Sequence, residues 1–268
     1  MQKFEVETRK KIDFNAIDIE FYSDFVHFLE TDLLLAKNSI AKYIRTVRTV
    51  MNEAKENGYH NNNKFKSRKF AAPTELTTAV YLNEKELNEL YCLDLSNNPR
   101  LEKVRDFFII GCFTGLRFSD LQQVTTKNMQ PDPKNPNDLY LTIKQIKTKK
   151  DVTIPILTVL KEILVKYDNT LPKPISNQKT NLFLKEICQM LPVLNENTEI
   201  EFTKAGAKVY ENYRKYELIS THTARRSFAT NAYLAGQQTL NIMAVTGHST
   251  EKSFNRYKGN TIGKGKVI

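Results

Sequence analysis

Leu139-Tyr140-Leu141-Thr142-Ile143-Lys144-Gln145-Ile146-Lys147-Thr148-Lys149-Lys150-Asp151-Val152-Thr153-Ile154-Pro155-Ile156 is the stretch that decides the fold class. Two runs of alternating, β-branched residues flank a strongly basic turn, the pattern of an antiparallel hairpin. On both sides of it the periodicity is helical. Upstream, Asn83 precedes Glu84-Lys85-Glu86-Leu87, an N-cap with Glu three residues on. An apolar helix follows from Leu101 to Phe113. Downstream, helices are expected near 157–168, 180–190, 203–216, 223–235 and 238–246. The expected class is therefore mainly α with a small antiparallel β-sheet (α+β). No Gly-rich phosphate loop is present, so nothing supports use of ATP or a dinucleotide.

Further upstream, Ile17, Phe21, Phe25, Phe28 and Leu29 form one helical stripe over 15–29. A second stripe, Ile40, Tyr43, Ile44, Val47, Val50 and Met51, starts from Ser39 as N-cap. Lys42, Arg45 and Arg48 lie along another flank of that helix, where they can track phosphates. Lys66, Arg68 and Lys69 follow, and residues 37–69 hold nine bases against two acids. Residues 70–80, small and polar around Pro73, read as a linker. The expected domains are 1–75, helical, with 1–13 as a remnant of an N-terminal linker, and 80–268.

The 268-residue chain carries 40 Lys and Arg against 30 Asp and Glu, a formal net charge of +10. That balance favours a polyanionic partner, nucleic acid before an acidic membrane surface. No run of ~18–20 apolar residues suggests a membrane span. The N-terminus has no signal core, and Cys92, Cys112 and Cys188 fit neither a disulfide framework nor a zinc motif. A reducing cytoplasmic setting is the expectation.

The chemistry-bearing residues come in short clusters. Phe113-Thr114-Gly115-Leu116-Arg117-Phe118-Ser119-Asp120-Leu121 follows the apolar helix; Lys147 stands in the hairpin turn. Thr221-His222-Thr223-Ala224-Arg225-Arg226 puts a histidine and a guanidinium one turn apart. Thr246-Gly247-His248-Ser249 offers a histidine on a turn, and Tyr257 stands nine residues beyond it. Each piece alone reads most simply as structure. A metal site is not supported, since the histidines lack neighbours at ligand spacing.

In this order and spacing the clusters resemble the tyrosine recombinase, or phage integrase, family, most closely the integrases of mobile elements such as conjugative transposons. The resemblance is strong over 80–268 and one of character over 14–73, the helical core-binding domain. It implies a site-specific DNA recombinase that cuts and rejoins DNA through a 3′-phosphotyrosyl intermediate with no metal, ATP or other cofactor, integrating or excising a mobile element. Tyr257 would be the nucleophile, Arg117 and Arg225 the phosphate clamp, His248 a further donor, Lys147 the general acid and His222 a proton-transfer partner. Lys149 and Lys150 compete with Lys147 for that role. Asp120 would orient Arg117; Lys149 and Arg226 would join Lys42, Arg45, Arg48, Lys66, Arg68 and Lys69 in binding DNA. The implied partners are double-stranded DNA and three further copies in a homotetramer on two DNA sites, the free protein being able to be a monomer, with DNA-bending accessory proteins and no membrane. Family members often carry an additional N-terminal arm-binding domain and a longer C-terminal helix. A type IB topoisomerase and a DNA-binding protein that no longer cuts remain the alternative readings.

Overall fold

The structure, a computed structural model, describes residues 1–133, 135–136, 138–173 and 175–255. The chain forms two compact units, one of 1–77 with 199–211, the other of 78–198 with 212–268.

In the first unit, α1 (Gln2–Thr8), α2 (Ile19–Thr31) and α3 (Lys37–Glu56) enclose an aromatic core. Asp18 caps α2 by accepting from the amides of Glu20 and Phe21. All five residues of the first stripe are buried. Phe4 of α1 adds edge-on contacts to Phe21, Phe25 and Phe28, at 5.2–5.7 Å between ring centroids. Residues 2–8, read from sequence as part of a linker, are thus packed by one phenylalanine that a short, charged segment had hidden.

α3 begins earlier than its sequence suggests, with Ala36 as N-cap and Ser39 already inside. Its buried stripe is Ile40, Ala41, Ile44, Met51 and Ala54; Tyr43 and Val50 are exposed. Both sit seven residues apart, on the flank of a 3.6-residue period rather than on its centre.

A second correction concerns 203–216, expected as helix. It belongs to a two-stranded hairpin, β4 of the chain (Asn197–Lys204) and β5 (Ala207–Arg214), turned by Ala205 and Gly206 in the left-handed region. Alternate burial along both strands is the period of two that the helical reading overlooked. Within the first unit, Glu75 accepts from the backbone N–H and the hydroxyl of Thr203, at 2.9 and 2.6 Å.

The second unit is built on α5 (Pro99–Thr114), which is buried nearly all round. α4 (Glu84–Cys92) precedes it, opened by a capping box of Asn83 and Glu86. The short α6 (Phe118–Leu121) follows it. The three-stranded sheet β1 (Met129–Pro131), β2 (Leu139–Lys144) and β3 (Asp151–Pro155) is antiparallel throughout, with Leu141 opposite Ile154 and Ile143 opposite Val152. These four side chains face the core. The hairpin is thus the one read from sequence, with β1 as an added short edge. Then come α7 (Thr158–Lys166), α8 (Asn177–Gln189), α9 (Thr221–Leu234) and α10 (Thr239–Thr246).

A buried charge cluster ties α5 to α7. Asp106, with no exposed surface, accepts from Arg105 Nε at 2.5 Å, Lys166 Nζ at 2.8 Å and the Tyr167 hydroxyl at 2.8 Å. A buried carboxylate needs such saturation, since an unpartnered one would cost several kcal/mol in desolvation. α9 is fixed in turn: Ser227 Oγ accepts from the Leu82 amide at 2.9 Å, and the Thr221 amide donates to Asn181 Oδ1 of α8 at 2.8 Å.

Candidate active site

Four local structures in the second unit present the site. The first is the end of α5. Gly115 closes the helix in the left-handed conformation at φ 65°, and a Cβ there would lie 2.4 Å from the Phe228 ring. Only glycine meets both demands. The turn it makes delivers Arg117 as N-cap of α6.

The second is the hairpin turn. Gln145 N–H donates to Lys150 O at 2.8 Å and Lys149 N–H to Gln145 O at 2.9 Å, with Lys149 at φ 58°. Lys147 and Lys149 are exposed on it.

The third is α9, opened by Ser220 through a capping box with Thr223. His222 falls in its first turn; Arg225, 3% exposed, lies one turn on and donates to Gly115 O at 2.8 Å. That bond joins α9 to the very turn that carries Arg117.

The fourth is the end of α10, where Gly247 at φ 60° stops the helix and turns out His248. His248 Nδ1 is 2.8 Å from Thr246 Oγ1, so Nε2 is the nitrogen that would meet a ligand.

These four pieces converge. His222 is pushed down to about 4 by desolvation and then by the charges of Arg226, Arg225, Arg117 and Lys147, although its side chain still reaches solvent. His248 is also pushed down to about 4, by desolvation and then by Arg225, Arg117 and His222. Two histidines that each feel the same two guanidiniums mark one strongly positive spot. Such a spot is matched to an anion with several oxygens, which guanidiniums bind with two parallel bonds.

Asp120, fully buried, accepts from the Ile146 amide through Oδ1 at 2.9 Å; its Oδ2 lies 3.8 Å from Arg117. The carboxylate therefore touches both the Arg117 turn and the hairpin. Arg226 adjoins His222. In the first unit Lys42, Arg45, Lys66, Arg68 and Lys69 are exposed and Arg48 is half-buried. Tyr257 lies outside the described residues.

One residue that the sequence reading quoted without a role stands at the centre of the site. Gln145 has no exposed surface, and its Oε1 accepts from Arg117 at 3.1 Å. The signal was available: Leu141, Ile143 and Gln145 continue one inward-facing alternation, so the amide had to be buried.

Residues 1–71 match the model of the phage integrase SAM-like domain, and residues 81–262 match that of the phage integrase family. The chain belongs to the phage integrase family. It is a tyrosine recombinase, an enzyme of site-specific DNA breakage and rejoining. Among solved structures it is similar to a lambda integrase (75–356) dimer bound to a COC′ core site, at 15% identity and TM-score 0.66, covering 100% of this chain and 89% of that one. It is similar to the XerH site-specific recombinase on a palindromic difH substrate (16%, TM-score 0.64, 96% and 71%). It is similar also to the Tn1549 transposon integrase (aa 82–397) in complex with circular intermediate DNA (14%, TM-score 0.65, 96% and 86%). At these identities the likeness is one of fold. No curated protein sequence matches the chain significantly. Among the described residues of this recombinase, no helix is long and apolar enough to cross a membrane.

Proposed function

We propose that this recombinase binds double-stranded DNA as a tetramer on two sites and moves a mobile element by integration or excision, with Tyr257 as nucleophile. The observation that supports it best is the convergence of Arg117, Lys147, His222, Arg225 and His248 on one positive spot. The structural neighbours add to it: the lambda and Tn1549 integrases are described in complex with core-site and circular-intermediate DNA.

The reaction follows from the charges. Tyr257 attacks the scissile phosphorus through its phenolic oxygen; the new bond is a 3′-phosphotyrosyl ester, and the bond to the 5′-oxygen breaks. The ester conserves the bond, so rejoining is the same step reversed. Negative charge growing on the nonbridging oxygens is held by the Arg117 and Arg225 guanidiniums, with a further bond from His248 Nε2. His222, kept neutral by its lowered pKa, is the proton-transfer partner of the phenol. Lys147 gives a proton to the departing 5′-oxygen. Among the turn lysines, the charge of Lys147 is one that acts on His222, which favours it for this role. Lys42, Arg45, Arg48, Lys66, Arg68 and Lys69 grip phosphates elsewhere on the duplex.

Tyr257→Phe tests the assignment. It should abolish cleavage and leave DNA binding almost unchanged, because a single oxygen is removed. Parallel loss of both would remove Tyr257 from the role.

A further inference from the structure

We propose that Gln145 is a positioning residue that holds three catalytic segments at one spacing: the Arg117 turn, the Lys147 loop and the turn of His248. The proposal rests on the recombinase reading of the site.

The side chain makes one bond to each segment. Oε1 accepts from Arg117 Nη1 at 3.1 Å and from Thr148 Oγ1, beside Lys147, at 2.6 Å. Nε2 donates to the Val245 carbonyl at 2.7 Å, in the last turn of α10. Both lone pairs of the amide oxygen are thus taken. The amide has only one sensible orientation. Flipped, it would set its NH2 against a guanidinium and its oxygen against a carbonyl. Its backbone closes the loop at both ends through Lys149 and Lys150.

The fit is close on the far side as well. A Cβ on Gly247 would stand 2.3 Å from Gln145 Oε1, so the amide and the left-handed φ of 60° together keep the residue before His248 without a side chain. Asp120 repeats the link between the Arg117 turn and the loop, through the Ile146 amide and Arg117, and Gln145 adds α10 to it. Gln145 is therefore the side chain through which a shift in α10 would reach both Arg117 and Lys147. A buried amide with every bond inside the site cannot touch DNA, so its effect has to pass through these neighbours.

The test compares Gln145→Met, which keeps the volume and removes the bonds, with Gln145→Ala in the full chain. Backbone hydrogen exchange is read first, because it needs no activity. Residues 146–150 and 245–248 should both exchange on the order of tenfold faster in each variant, while 139–143 keep their protection. Covalent attachment is read next, on nicked duplexes with a randomised core. Both variants should attach on the order of 100-fold more slowly at saturating DNA, with affinity nearly unchanged, as expected for a small misplacement of reacting groups. In a Lys147→Ala background the same substitutions should slow attachment much less, since one of the groups they misplace is gone. Attachment restored by methionine, or additive losses with Lys147→Ala, would reduce Gln145 to packing. Unchanged exchange in either segment would overturn the proposal outright. Faster exchange with no attachment by the parent chain would leave the tether standing and remove the recombinase reading instead.

Discussion

At the scale of single residues the site is defined by charge. Arg117 is the simplest clamp to remove, being part-exposed where Arg225 is buried against Gly115. Arg117→Ala should cost about 2.7–4 kcal/mol of transition-state stabilisation, the loss measured for one oxyanion donor elsewhere. Single-turnover cleavage checks this; a loss below tenfold would mean that the phosphate does not sit on Arg117. The histidines make a second prediction. Their lowered pKa values mean that the unfolded chain binds more protons than the folded one between the usual histidine range and about 4. The free protein should therefore lose stability as pH falls from about 6.5 towards 4. A bound phosphodiester supplies the missing negative charge, so both histidines should titrate higher in the DNA complex. Histidine proton resonances report this directly; titration of both near 6.5 in the free protein would contradict the crowded positive site.

At the scale of elements, the basic flank of α3 carries a prediction of its own. Replacing Lys42, Arg45 and Arg48 singly by alanine should weaken binding to all DNA sequences alike and lower the slope of log affinity against log salt by about one each. An unchanged slope would mean that this flank faces only water. Much of this level was legible beforehand. The β2–β3 hairpin showed in its alternation, and the helix ends at Gly115 and Gly247 showed in their glycines. The β4–β5 hairpin was hidden because its Lys, Glu and Tyr residues suit a helix face as well as a two-sided exposed strand. The packing of α1 was hidden because it depends on Phe4 meeting three rings far along the chain. Gln145 was visible as an inward polar residue, but its partners on α6 and α10 exist only after folding. Local pattern fixes periodicity and caps; it does not say which turns meet.

At the scale of the whole molecule, the family and the convergence of four turns in one unit point to a single chemistry, transfer of a DNA phosphoryl group to a tyrosine and back. The most direct measurement is a covalent trap followed by mapping. The protein is mixed, without added metal or ATP, with nicked duplexes from which the cleaved strand can drift away. The adduct is then isolated under denaturing conditions and its modified residue identified. The account predicts a DNA strand joined through its 3′-phosphate to Tyr257, with a free 5′-hydroxyl on the released strand. Attachment to another residue, or cleavage that leaves a 5′-phosphate, would contradict it.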